Sequence, residues 1–191
     1  IQICLPLNIL EESFKKQLTD HRSGWIDQHR DEVIVGRELH FHSAREGNLP
    51  YPMRAIRTPK FLYIRNFKPQ RWPMSDPRGL DGKTPPTYEQ LQQSTDVTMS
   101  DLDASLTKAW LITHRNEPGV RPLFDLTLNL RPEEELYDLR VDPDQQNNLI
   151  NNDQYAATRR ELSERLMSVL EQAADPRLND AFDRPPYVDH Q

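Results

Sequence analysis

Residues 53–66, Met-Arg-Ala-Ile-Arg-Thr-Pro-Lys-Phe-Leu-Tyr-Ile-Arg-Asn, decide the fold class. Met53–Arg57 and Phe61–Asn66 are extended runs, and the Thr58-Pro59-Lys60 segment between them is short enough to make them a hairpin. Apolar and basic residues alternate in part along both runs, as on a sheet with one face turned to a core. Farther along, Asp153–Ala173 is the clearest helix. Asp153 is placed to cap it, Tyr155, Leu162, Leu166, Val169, Leu170 and Ala173 form one stripe, and Asp175-Pro176 stops it. Strands followed by a terminal helix predict an α+β fold: a small antiparallel sheet packed by a C-terminal helix.

Other segments add to this frame. Val33-Ile34-Val35 is a β-branched run ending at Gly36 and reads as a buried strand. Asn8 and Glu11 form a capping box ahead of Leu10, Phe14 and Leu18, which repeat at helical spacing. Arg131–Leu149 reads as a short strand, a sharp turn and a helix start, with Asp142-Pro143 supplying a capping oxygen and a fixed φ. Pro69, Pro73, Pro77, Pro85 and Pro86 exclude a continuous helix over 67–100, a loop length that is usually functional or disordered. Residues 102–114 carry Leu106 and Trp110 at helical spacing, while 123–130 fits a helix or a strand. No internal repeat is present.

A chain of 191 residues suffices for one domain, or for one domain plus the end of another. Its 36% hydrophobic content and 16 prolines predict a loop-rich fold with a modest core. The net charge of −6 argues against a general nucleic-acid binder. Charge is uneven, however: 37–71 holds eight Lys/Arg against two Glu, and 131–191 holds seven Arg against fourteen acids. A basic stretch in an acidic chain reads either as a local anion-binding surface or as a solvated strand face whose Arg stems cover apolar area. Cys4 stands alone, so no internal disulfide forms. No membrane span is visible, and Ile1–Leu10 is short and broken by Pro6. A start at Ile rather than Met is expected of a truncated or processed product.

Five segments, in order, resemble sulfatases, and heparan N-sulfatase-like (N-sulfoglucosamine sulfohydrolase-like) bacterial enzymes in particular. They are Gly36-Arg37-Glu38-Leu39-His40 (Leu39 standing where Arg is usual), Tyr51–Phe67, Lys68–Pro73, Glu135–Leu149 with its E-L-Y-D-L-x-x-D-P-x-x-x-x-N-L pattern, and Asp175-Pro176-Arg177. The similarity runs from about Glu12 to Arg177. It implies a parent enzyme that hydrolyses sulfate esters or sulfamates of sulfated glycans, with formylglycine as nucleophile and calcium to stabilise the sulfate oxygens. Neither is expected in this chain. Cys4-Leu5-Pro6-Leu7-Asn8 has Leu and Asn where the C/S-x-P-S-R motif needs Ser and Arg. Asp138, Asp142 and Asp144 lack the glycine and closing glutamate of a calcium loop.

The resemblance therefore implies a C-terminal portion. Residues 1–45 would be the last helix and strand of the sulfatase α/β catalytic domain, and 46–191 the C-terminal subdomain. The segment would complete the fold and wall the substrate pocket, be inactive alone, and partner the missing N-terminal catalytic domain and a sulfated glycan. The family resemblance favours a periplasmic or secreted parent. The alternative is a non-catalytic module binding sulfated glycans through 37–71.

His40 and His42, two positions apart, share one face of an extended segment. They lack a third ligand for zinc, so no metal site is assigned. In the family, the loop after the Gly-Arg-Glu element lies near the pocket entrance. This makes Glu38, His40, His42 and Arg45 the substrate-binding candidates, with Arg suited to a bidentate grip on sulfate. The competing reading is a loop whose histidines are satisfied by backbone or water. Arg54, Arg57 and Arg65 on the hairpin read either as a face for an anionic glycan or, the expected use, as partners of Glu161, Glu164 and Glu171 of the terminal helix. Trp72 and Trp110 would stack on a sugar ring or be buried under the long loop.

Overall fold

The computed structural model describes residues 21, 31–40, 43–185 and 188. Cys4, the Asn8–Leu18 helix and His42 lie outside the described residues. Among those described, the chain forms two units. One holds residues up to Arg37, Met53–Arg65 and Glu134–Ala181; the other holds Glu38–Pro52, Asn66–Glu133 and the residues from Phe182 on.

The first unit is the predicted α+β layer. Strands β1 (Val33–Arg37), β2 (Met53–Arg57), β3 (Phe61–Asn66) and β4 (Glu134–Asp138) lie side by side in sequence order. β1 pairs antiparallel with β2 (Val33 opposite Arg57), and β3 with β4 (Tyr63 opposite Leu136). The β2–β3 turn is closed by the Thr58 N–H donating to the Phe61 carbonyl at 2.9 Å, with the Phe61 N–H on Thr58 Oγ1 at 2.9 Å. β1 departs from the expected buried strand. Among the described residues it is a sheet edge, and Val33 is 48% exposed.

The long helix (Ala156–Gln172) buries Leu162, Leu166 and Leu170, three positions of the predicted stripe. It follows a short 3-10 turn, Asp153–Tyr155, and the cap is Asn152 rather than Asp153: the Gln154 N–H donates to Asn152 Oδ1 at 3.0 Å. The helix packs near β2. Tyr63 Oη reaches it at Ser163 Oγ, 3.1 Å away. Asp142 does not start a helix either. Its carboxylate accepts the Gln146 and Asn147 N–H groups at 3.0 and 2.8 Å and closes a turn. Asn148 and Leu149 then cover the outer edge of β4, Leu136 N–H donating to Asn148 Oδ1 and Leu149 N–H to the Leu136 carbonyl.

The expected pairing of hairpin arginines with helix glutamates is corrected. Glu161, Glu164 and Glu171 are exposed. Arg65 instead meets Glu134 at 2.8 Å across the β3–β4 pair, and Arg54 meets Asp175 beyond the helix end. The helix contributes cations, with Arg159 on Glu134 and Arg165 on Asp31 and Glu32.

The second unit is loop-rich and has three short helices, which complete the helix set as α1 (Tyr88–Gln93), α2 (Leu106–Thr113) and α3 (Arg121–Thr127), with the long helix of the first unit as α4. The open choice at 123–130 resolves to helix. Thr87 and Gln90 form a capping box that starts α1 directly after Pro85-Pro86. Leu80, Leu91, Met99, Ala109, Ile112, Val120, Phe124 and Leu128 make the core, with Trp72 partly buried against it. Trp110 lies outside it, 42% exposed, its ring 5.5 Å from that of His114.

Candidate functional site

Three of the four predicted contact residues are described, and all belong to the second unit. The Gly-Arg-Glu element leaves β1 and turns at once: Glu38 is buried, and its carbonyl accepts the Tyr51 N–H at 2.7 Å. The chain then passes His40 and enters a tight loop. Within that loop Ser43, Gly47 and Asn48 all have positive φ, at 66°, 68° and 54°.

Arg45 sits inside this loop and is only 3% exposed. Its Nε donates to the Trp72 carbonyl at 2.9 Å, and its Nη2 to the Pro73 carbonyl at 2.9 Å and to Asp101 Oδ2 at 2.7 Å. The guanidinium also lies 5.7 Å from the centre of the Tyr51 ring. A buried ion pair repays its desolvation through further hydrogen bonds, and here two backbone carbonyls supply part of them. Arg45 is thus committed to joining three loops, and its guanidinium is not presented to solvent for a bidentate grip on sulfate.

His40 is the accessible member. Its side chain is 63% exposed, and Nδ1 lies 3.6 Å from Asp101 Oδ1, beyond hydrogen-bond range but within ion-pair range. Asp101 itself is fully buried, so one carboxylate faces a buried guanidinium on one oxygen and an exposed imidazole on the other. The arrangement can orient the ring by its charge and leave the far nitrogen to meet a ligand.

The loops around this pair are stitched together. Glu46 N–H donates to Asp76 Oδ2 at 2.8 Å, Met99 N–H to the Asp76 carbonyl at 3.2 Å, and Arg78 Nη2 to the Ser43 carbonyl at 2.7 Å. Ser75 and Met99 hold φ of 75° and 46°, left-handed conformations that cost free energy in non-glycine residues and persist where the surroundings enforce them. Buried Ser75 and Ser100 hydroxyls, 3.1 Å apart, supply part of that enforcement.

Asp101 carried no sequence signal. It lies 56 residues from Arg45 in a loop with no motif around it. Among the described residues no three His, Cys, Asp or Glu side chains converge as a metal site requires. No described helix is long and apolar enough to cross a membrane.

The basic stretch 37–71 is largely neutralised. Within the first unit Arg54 pairs with Asp175 and Arg65 with Glu134. Within the second, Arg45 pairs with Asp101, and Arg71 and Lys68 converge on Asp183 at 2.6 and 4.0 Å. Arg57 and Lys60, at the hairpin end, are the exposed cations of the stretch. An excess of positive charge along the sequence is therefore not a cationic surface in space.

Parts of three segments that carry the sulfatase resemblance, Gly36-Arg37, Met53–Arg65 and Asp175-Pro176-Arg177, meet in the first unit. Arg54 donates to both Asp175 oxygens, Nε to Oδ2 at 2.7 Å and Nη2 to Oδ1 at 2.9 Å, and the Arg177 N–H adds a third bond to Oδ1 at 2.9 Å. Gly36, the cross-strand partner of Arg54, lies directly beneath the arginine stem. A Cβ at Gly36 would stand 2.8 Å from Arg54 Cδ. Arg54 and Arg177 are each 1% exposed.

No family model matches the chain, and no curated protein matches it. Among solved structures it is similar to BT4656 in complex with its substrate D-glucosamine-2-N,6-O-disulfate, at a TM-score of 0.41 and 14% identity. The match covers 89% of this chain and 20% of that one, so the chain spans about a fifth of that neighbour's length.

Proposed function

We propose that this chain is the C-terminal portion of a sulfatase acting on sulfated glycans of the N-sulfoglucosamine kind. In this reading it completes the fold, walls one side of the substrate pocket and carries no nucleophile. The formylglycine and calcium belong to the parent enzyme's catalytic domain, whose end is residues 1–45 here, with 46–191 as the C-terminal subdomain. Glu38, His40, His42 and Arg45 remain the assigned substrate-side group, with His40 as the residue that meets the glycan and Arg45 as its support through Asp101.

One observation carries this reading. Gly36, Arg54 and Asp175-Pro176-Arg177 come from three separate family-like segments, and they close on one buried bidentate ion pair. Motifs that match by accident have no reason to interlock. The neutralised basic stretch weighs against the alternative of a polycationic glycan-binding module, which needs unpaired Lys and Arg on its surface.

The test is the coding sequence upstream of Ile1, followed by turnover. An in-frame Cys/Ser-x-Pro-Ser-Arg motif is expected several hundred residues before Ile1. The joined protein should then desulfate glucosamine N-sulfate while the 191-residue chain alone does not. A stop codon immediately before Ile1, or turnover by the isolated chain, overturns the reading. Heparin affinity of the isolated chain that falls steeply with salt and is lost in Arg57→Ala/Lys60→Ala would favour the binding module instead.

A further inference from the structure

Lys108 is fully buried, yet it belongs to a short helix whose Leu106 and Trp110 are exposed. It is the third residue of α2, and its backbone N–H is capped by Ser105 Oγ at 3.1 Å. From there the side chain runs back beneath the preceding loop. Its Nζ donates to the carbonyls of Thr95 at 3.0 Å, Met99 at 3.3 Å and Leu102 at 2.8 Å. An ammonium has three donors and no acceptor, so all three are used. The loop closes on itself as well, Leu102 N–H donating to the Met99 carbonyl at 3.0 Å and Ala104 N–H to Thr95 Oγ1 at 3.0 Å.

We infer that Lys108 acts as an internal cation for the Thr95–Leu102 loop and is the positioning residue that holds Asp101 where it meets both Arg45 and His40. The carbonyls gathered by Nζ flank Ser100-Asp101 on both sides, and Met99 holds a left-handed φ that the loop would shed if released. A buried ammonium is costly without such partners, and an apolar residue would be the cheaper occupant of the site. Burial does draw the Lys108 pKa below the ordinary lysine value, with the charges of Asp103 and Asp96 opposing. The inference rests on the proposed glycan contact at His40 only for its functional consequence; the effect on the His40 ring stands apart from it.

The experiment uses the full chain with Lys108→Met, which keeps the length and removes every donor, and Lys108→Gln, which keeps two. The readouts are the nitrogen resonances of the His40 imidazole and binding of an N-sulfated heparin disaccharide. In whichever variant gives a wild-type near-UV circular dichroism spectrum, the His40 resonances should move to those of Asp101→Asn, and disaccharide affinity should fall about tenfold. A folded variant with wild-type His40 resonances overturns the inference. Should neither fold, the wild-type chain decides: a slowly exchanging Lys108 ammonium signal coupled to the Thr95, Met99 and Leu102 carbonyls is expected, and its absence overturns the inference. If the His40 resonances move while the wild-type chain binds no disaccharide, the positioning role holds and the glycan contact of this chain at His40 fails.

Discussion

Arg54 and Asp175 lie 121 residues apart and form two parallel hydrogen bonds in a buried part of the sheet-and-helix unit. Removing one partner strands the other charge away from water. Arg54→Ala and Asp175→Ala should each cost about 3–5 kcal/mol. Arg54→Lys should fail to rescue, because a point charge cannot replace the planar fork. Arg54→Met combined with Asp175→Leu should recover more than half of the loss. Urea unfolding followed through the tyrosine signal measures all four, and an Arg54→Lys variant as stable as wild type would contradict the fork geometry.

Gly36→Ala tests the surface beneath that pair. The new Cβ meets Arg54 Cδ at 2.8 Å, and the stem cannot swing aside while Asp175 holds its head. A loss of about 1–3 kcal/mol is expected from overpacking. The same change made in Arg54→Ala should be almost free, so the two substitutions are non-additive in thermal melts.

Acid should weaken the sheet unit through Asp138. The Arg140 guanidinium hydrogen-bonds its carboxylate, and the Arg140 backbone N–H and Tyr155 hydroxyl add to it, lowering its pKa from 3.8 to about 2. Because the folded pKa lies below the unfolded one, the unfolded chain binds more protons between them. The stabilisation is present above the unfolded value and is lost as pH falls through about 2. Unfolding free energies taken across this range should slope upward with pH, and Asp138→Asn should flatten that slope. Glu134 adds to the same trend: burial pushes its pKa up, but the Tyr63 hydroxyl and the Arg159 and Arg65 charges bring the net value below the ordinary one.

In α4, Leu166 is wholly buried at the centre of the stripe. Leu166→Ala should cost about 2–5 kcal/mol through lost burial and the cavity left behind. Glu164→Ala, on the exposed side, should stay within about 0.5 kcal/mol. Chemical denaturation with an unchanged m-value checks both.

The His40 and Arg45 variants should separate cleanly. His40→Ala removes an exposed ring and should leave the melting temperature unchanged while weakening binding of an N-sulfated disaccharide about tenfold, or about 1.4 kcal/mol. Arg45→Ala leaves Asp101 and two carbonyls without their donor and should destabilise the second unit by about 3–5 kcal/mol. Calorimetry with and without the disaccharide distinguishes a contact residue from a support.

The local elements were the legible ones. The hairpin could be read because Thr58-Pro59-Lys60 punctuates two apolar-basic runs, and α4 because Leu162, Leu166 and Leu170 repeat every turn. The Thr87–Gln90 capping box was equally local but was hidden by the prolines before it. Partnerships across the chain were not legible. The abundance of glutamates on α4 pointed to them as partners of Arg54 and Arg65, whereas the face towards the sheet presents Arg159 and Arg165. At the candidate site the sequence identified Arg45 but not Asp101, since no periodicity links a residue to a carboxylate two loops away.

The interleaving of the two units bears on how the chain can be made and cut. Between Arg37 and Phe182 the backbone passes from one unit to the other at residues 37/38, 52/53, 65/66, 133/134 and 181/182. During vectorial synthesis the hairpin waits for β4, and Arg54 meets its carboxylate partner only once Asp175 has left the ribosome. Such long-range closures slow folding and leave strand edges open meanwhile. No single cut releases either unit whole, so limited proteolysis should give no single fragment that corresponds to one unit.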